Sequence, residues 1–156
     1  EMKRLIETVL LKTHQEEVHK IEQFAERIAD DYNVSNTYFA NILVSLSEAF
    51  NNALVHGNKY DENKRIKLDF YMSNKEMVFT MTDEGYGFDS DILNDDTKMI
   101  GRGLMMIKHA SDGVEFSDGG RCIEMRFNTA SFNESLASKR SAALENTDAK
   151  VKKNVQ

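Results

Sequence analysis

Glu48 and Asn52 stand four residues apart in the stretch "SEAFNNALVHGN", residues 47–58, and His56 continues the spacing. Positions four apart share one face of a helix, so these groups form a polar ladder that Ser45 and Asn41 extend backwards. A carboxylate one turn from an amide suits phosphoryl transfer. The amide oxygen is a hard ligand of the kind Mg2+ accepts alongside phosphate oxygens and water. The carboxylate stands where a general base for an incoming hydroxyl is useful.

Two further stretches carry chemistry. In "DEGYGF", residues 83–88, Asp83 ends a row of core-facing strand residues, where an acid is costly unless something specific pairs with it. A buried Asp can hold a nucleobase through its exocyclic amine, a directional bond that rejects the wrong base. In "GRGLMMIKHA", residues 101–110, a Gly-x-Gly opens a helix. Backbone N–H groups freed there, with the helix dipole behind them, form an anion site. Taken singly, each piece also fits a plain turn or a solvated face; their joint occurrence in this order points to a site.

The elements that must position these residues follow from periodicity. Residues 3–11 form a first strand. Thr13 and Glu16 have capping-box spacing, and Val18, Ile21, Phe24, Ala25, Ile28 and Tyr32 keep a helix running from about His14 to Asp31. Ser35 or Asn36 caps a second helix, which carries the ladder and stops with Gly57 at the C′ position.

"RIKLDFYM" alternates, with Ile66, Leu68, Phe70 and Met72 on one face. Residues 73–76 turn a hairpin into a second strand whose buried face is Met77, Phe79, Met81 and then Asp83. Residues 84–100 show no period and read as a loop. A helix over 103–109, a strand near Val114–Phe116, a Gly119-Gly120 turn and a last strand over 121–127 complete the order. The sum is an α+β two-layer sandwich, a mixed, mainly antiparallel sheet with helices on one face.

Composition bounds the function. The 156 residues suit one compact domain, residues 1–129, followed by a polar tail over 130–156 that is disordered or only partly helical. The net charge of −6 argues against nonspecific nucleic-acid binding, which needs a basic surface. The single cysteine, Cys122, excludes an internal disulfide and fits a cytoplasmic setting. No apolar run approaches the ~20 residues of a membrane span, and no signal pattern opens the chain. Glu1 before Met2 reads as a cloning remnant or as the edge of a domain cut from a longer protein. The histidines and Cys122 lack metal-ligand spacing, and Met99, Met105 and Met106 read as core or lid packing. Seven of the eight glycines fall between Gly85 and Gly120, so that half of the chain must turn sharply or approach something closely.

The order of the three stretches resembles the Bergerat (GHKL) ATPase superfamily of gyrase, heat-shock chaperones, sensor histidine kinases and mismatch-repair ATPases. "SEAFNNALVHGN" is similar to its N box, "DEGYGF" to its first glycine box, and "GRGLMMIKHASDGVEF" to its second. Within the superfamily the likeness is strongest to small bacterial anti-sigma-factor serine kinases. The resemblance makes Glu48 the catalytic base, Asn52 the Mg2+ ligand and Asp83 the adenine contact. It makes Gly85 and Gly87 shape the base pocket, sets Gly101, Arg102 and Gly103 at the phosphates with Leu104 behind them, and puts His56 near the nucleotide.

The implied cofactors are ATP and Mg2+. The implied activity is that of an anti-sigma factor and protein-serine kinase that phosphorylates an anti-anti-sigma (STAS-type) partner and holds a sigma factor, as a homodimer. The alternative is a non-catalytic nucleotide-binding regulatory module. This chain departs from the pattern in three respects. The lid from Asp89 to Ile100 is short and acidic. Met99 stands where an arginine is common, so that Arg102 is the arginine at hand. Arg121 and Cys122 stand where a threonine is common in the last strand.

Overall fold

The computed structural model describes residues 2–87 and 99–129. The lid expected between Asp89 and Ile100 lies outside the described residues up to position 98, and so do Phe88 and the tail from position 130. In chain order the elements are β1 (Arg4–Lys12), a 3-10 turn (Gln15–Glu17), α1 (Val18–Asp31), α2 (Asn36–Asn52), β2 (Arg65–Met72), β3 (Glu76–Thr82), α3 (Met99–Ala110), β4 (Gly113–Ser117) and β5 (Cys122–Asn128).

The strands form one sheet in the order β1-β2-β3-β5-β4. All four pairings are antiparallel, so the parallel pair of a mixed sheet is not found among the described residues. β3 and β4 do run the same way, but β5 lies between them.

Register follows the alternation of side chains. Leu68 opposes Met81 and Phe70 opposes Phe79; Phe79 in turn opposes Met125, and Met81 opposes Ile123. Opposed residues share a face, so one face of the sheet is a continuous apolar surface. Helices cover it with Ile21, Phe24 and Ile28 from α1, Ile42, Leu46 and Phe50 from α2, and Leu104 and Ile107 from α3. Phe79 sits at the centre, stacked on Phe70 at 4.9 Å and edge-on to Phe24 and Phe127. Burying each such side chain contributes about 1.5–3 kcal/mol, and truncating Phe79 to Ala would cost about 3–5 kcal/mol with its cavity.

The helix starts follow local hydrogen bonding. Ser35 caps α2, its hydroxyl accepting from the Tyr38 N–H. Thr13 does not cap the first helix as its spacing suggests: His14 caps the 3-10 turn that leads into α1, its Nδ1 accepting from the Glu16 N–H, and α1 itself has no side-chain cap. The Thr13 hydroxyl is drawn inward instead, donating to the Lys64 carbonyl at 2.6 Å. The opposite face of the sheet carries charge. Lys3 reaches across it to Glu124, 2.9 Å away, and buried Asp69 accepts from Thr8.

Candidate functional site

α2 does not end at Gly57. Residues Ala53–Gly57 widen into a π turn, with the Asn58 N–H donating to the Ala53 carbonyl at 2.7 Å. The left-handed residues that reverse the chain are Lys59 and Tyr60, at φ of 51° and 60°. Gly57 is glycine for a different reason: a Cβ there would fall on the Asp83 carboxylate. A Cβ on Gly85 would in turn run into the Gly57 carbonyl. The end of the ladder helix and the loop after β3 are therefore in backbone contact, with Asp83 between them.

Asp83 follows β3 and is only 6% exposed, as the alternation requires. Its N–H donates to the Arg121 carbonyl at 2.9 Å, and its Oδ1 accepts from the Gly85 N–H at 2.8 Å. Among the described residues Oδ2 has no hydrogen-bond donor. Burial raises the Asp83 carboxyl above the ordinary range. The Gly85 hydrogen bond and the charges of Arg121 and Lys64 pull it down, and Asp118 adds to the rise. Arg121, which has no assigned role in the sequence reading, is tied into the loop: its Nε donates to the Gly85 carbonyl at 2.6 Å, and Nη1 lies 3.3 Å from Asp118. Gly87 has a φ of +84°, and a Cβ there would strike the Gly119 carbonyl, so the turn before β5 presses against this loop.

A second residue is absent from the sequence reading. Asn58 is 1% exposed and bonds three segments at once. Its Nδ2 donates to Thr13 Oγ1 at 2.9 Å and to the Arg65 carbonyl at 3.1 Å, and its Oδ1 accepts from the Glu84 N–H at 2.8 Å. No local signal marks it, because its partners come from distant parts of the chain.

The ladder faces α3. A Cβ on Gly103 would lie 2.9 Å from Glu48 Oε2 and 3.4 Å from Asn52 Oδ1, so that glycine lets the carboxylate and the amide converge on the helix. Asn52 is 8% exposed and Glu48 half-buried. Ser45, one turn before Glu48, is fully buried with a hydroxyl that has no hydrogen-bond partner among the described residues. His56 is half-buried, and burial lowers its pKa and favours the neutral ring.

α3 starts at Met99 rather than at Gly103, so both glycines and Arg102 lie within its first turns. The N–H groups of a helix's first four residues lack intrahelical partners; here those residues include Gly101 and Arg102. Leu104 is buried in the core and Arg102 is exposed. Among the described residues neither His56 nor Arg102 forms an ion pair with Glu48 or Asp83. The structure thus makes two clusters, Glu48–Asn52–Gly103 and Gly57–Asp83–Gly85, at the two sides of the π turn.

No cluster of three His, Cys, Asp or Glu able to hold a metal occurs among the described residues. A cleft of about 700 Å3 lies apart from both clusters, between the end of β1 and the starts of α1 and β2, and is lined in part by Lys12, Glu17, Lys20 and Arg65.

Residues 11–127 match the histidine kinase-like ATPase domain, a stretch that begins within β1 and includes both clusters. The chain belongs to that family. A comparison with curated proteins finds no match. As a histidine kinase-like ATPase domain the chain has the Bergerat fold, and among the described residues a five-stranded antiparallel sheet layered with three helices fits that architecture. No helix among the described residues is long and apolar enough to cross a membrane.

Proposed function

We propose that this ATPase domain binds ATP between the two clusters and is a protein-serine kinase and anti-sigma factor whose substrate is an anti-anti-sigma protein. The observation that carries the proposal is the convergence of the Glu48 carboxylate and the Asn52 amide on Gly103, together with a buried acid, Asp83, packed against Gly57 at the end of the same helical run.

The residues fit a nucleotide. Gly57, Gly85 and Gly103 each omit a Cβ that would fill the space around Asp83 or Glu48. Among the described residues Asp83 Oδ2 has no donor and can accept from an adenine amine, and the amides at the start of α3 suit phosphate. Asn52 Oδ1 would be one protein ligand of a magnesium ion completed by phosphate and water oxygens. When bound, that ion would supply charge neutralisation for the transferring group.

Glu48 orients the serine hydroxyl and takes its proton as the new O–P bond forms and the bond to the ADP leaving group breaks. Buried Asn52, one turn on, and the bare Gly103 of α3 flank the carboxylate. The proposed homodimer and the cytoplasmic setting come with the same reading, as does sigma-factor binding.

The test is incubation with labelled ATP, Mg2+ and anti-anti-sigma candidates of the same genome. A labelled serine supports the proposal. Label that stays in nucleotide for every candidate favours the non-catalytic regulatory module, to which the half-exposed setting of Glu48 is also open. An Asn52→Ala variant is expected to lose the gain in ATP affinity that Mg2+ gives, with the helix intact, since alanine is the better helix former. An unchanged Mg2+ effect on titration would remove Asn52 from the metal.

A further inference from the structure

We infer that Asn58 is the positioning residue for base selection: it fixes the loop that follows Asp83 so that the carboxylate meets the exocyclic amine of a purine. The inference rests on the proposed role of Asp83.

Glu84–Gly87 is a segment with glycine at two of its four positions, and such backbone has no fixed path of its own. Two bonds anchor its first residue. The Glu84 N–H donates to Asn58 Oδ1 at 2.8 Å, and the Glu84 carboxylate accepts from the Arg65 N–H.

The Asn58 amide can sit only one way round. Thr13 gives its hydroxyl hydrogen to the Lys64 carbonyl and so presents an oxygen to Asn58 Nδ2, while the Arg65 carbonyl takes the other amide hydrogen. A flipped amide would set its carbonyl against those two oxygens and its NH2 against the Glu84 N–H. With all three bonds made inside a site 1% exposed, the rotamer is locked.

The order of bonds runs from the Lys64 carbonyl through Thr13 and Asn58 to Glu84, and Glu84 neighbours both Asp83 and the Gly85 N–H that holds Oδ1. Directional recognition needs the acceptor held to within about half an ångström. Asn58 supplies that constraint from a buried position, and among the described residues its side chain bonds neither Glu48 nor Asn52.

The experiment compares two probes, ATP and purine riboside triphosphate, which has hydrogen in place of the exocyclic amine. Dissociation constants are measured for both, with and without Mg2+, on the parent, Asn58→Ala and Thr13→Val chains. In Asn58→Ala the preference for ATP is expected to fall about tenfold, roughly one directional hydrogen bond, while the gain from Mg2+ stays at the parent's value. A preference that survives, or a preference and a Mg2+ gain that collapse together, overturns the positioning role.

A parent chain with no preference between the probes overturns the role of Asp83 and this inference with it. A parent preference retained in Asn58→Ala overturns the inference alone. Should Asn58→Ala fail to fold, Thr13→Val decides: it keeps side-chain volume and removes one of the three partners. A several-fold loss of preference there supports the inference, and an unchanged preference defeats it.

Discussion

The two clusters of the site are built in opposite ways. At the sheet end, Asp83 is fixed by backbone: its N–H pairs with Arg121, its carboxylate with Gly85, and Gly57 and Gly85 touch main chain to main chain. At the helix end, Glu48 and Asn52 are side chains on α2 that meet α3 only because Gly103 leaves room. The first is a rigid mould and the second a pair of adjustable arms. Selection of a ligand needs the former; a group that must follow a moving proton is served by the latter.

The largest expected effect belongs to the arms. Glu48→Gln keeps shape and removes basicity, so phosphoryl transfer should fall by ~10²–10⁴-fold with ATP affinity little changed. Single-turnover kinetics beside equilibrium binding would check this, and transfer near the parent rate would end the catalytic reading of the ladder.

Next come the glycines, which should respond unequally. In Gly85→Ala the new methyl meets the Gly57 carbonyl, which cannot step aside, so a loss of about 1–3 kcal/mol in stability and of nucleotide binding is expected. In Gly103→Ala it meets the far end of the Glu48 side chain at 2.9 Å, which can swing away. That variant should fold and bind, and lose mainly rate. Equal melting-temperature losses in the pair would erase the contrast between mould and arms.

Asp83→Asn should weaken ATP binding by about ten- to a hundredfold, the loss of one charge-assisted acceptor, and at the same time raise the melting temperature. The sign follows from linkage. Burial holds the folded carboxyl above its unfolded value, so folding favours the protonated form. Its contribution to stability is complete below the unfolded pKa and is lost as pH rises through the folded one. At neutral pH the charge is therefore a burden that Asn removes while still accepting from the Gly85 N–H. Calorimetry of the pair should show the gap close at acid pH.

The smallest effect is the pH dependence of binding itself. A bound amine favours the ionised carboxylate, so affinity should be full above the raised pKa of Asp83 and fall as pH drops through it, by at most about tenfold per pH unit. Asp83→Asn should flatten that slope. A slope that persists in the variant would locate the titration elsewhere.

Much of this was legible in the sequence because its signals are local. The alternation through Met77, Phe79 and Met81 carries Asp83 onto the core face, and fourfold spacing aligns Glu48 with Asn52. What was not legible depends on partners far along the chain. Gly57 has the sequence look of a helix terminator, yet its Cα is bare because Asp83 lies against it. Thr13 has the spacing of a cap, yet a buried amide at Asn58 draws its hydroxyl inward. Arg121 follows a Gly-Gly turn with nothing to announce its bond to the Gly85 carbonyl. The π turn over Ala53–Gly57 likewise has no compositional mark.

The strand order has a kinetic corollary. β2–β3 and β4–β5 are joined by short turns and can each form early as a local hairpin, whereas β3–β5 pairing must wait until the intervening chain, α3 included, has closed. That late seam brings Arg121 to Asp83 and Gly85. Contacts made after the rate-limiting barrier slow unfolding and leave the folding rate nearly untouched. A ligand seated across the seam should accordingly lengthen the lifetime of the folded chain without hastening its formation.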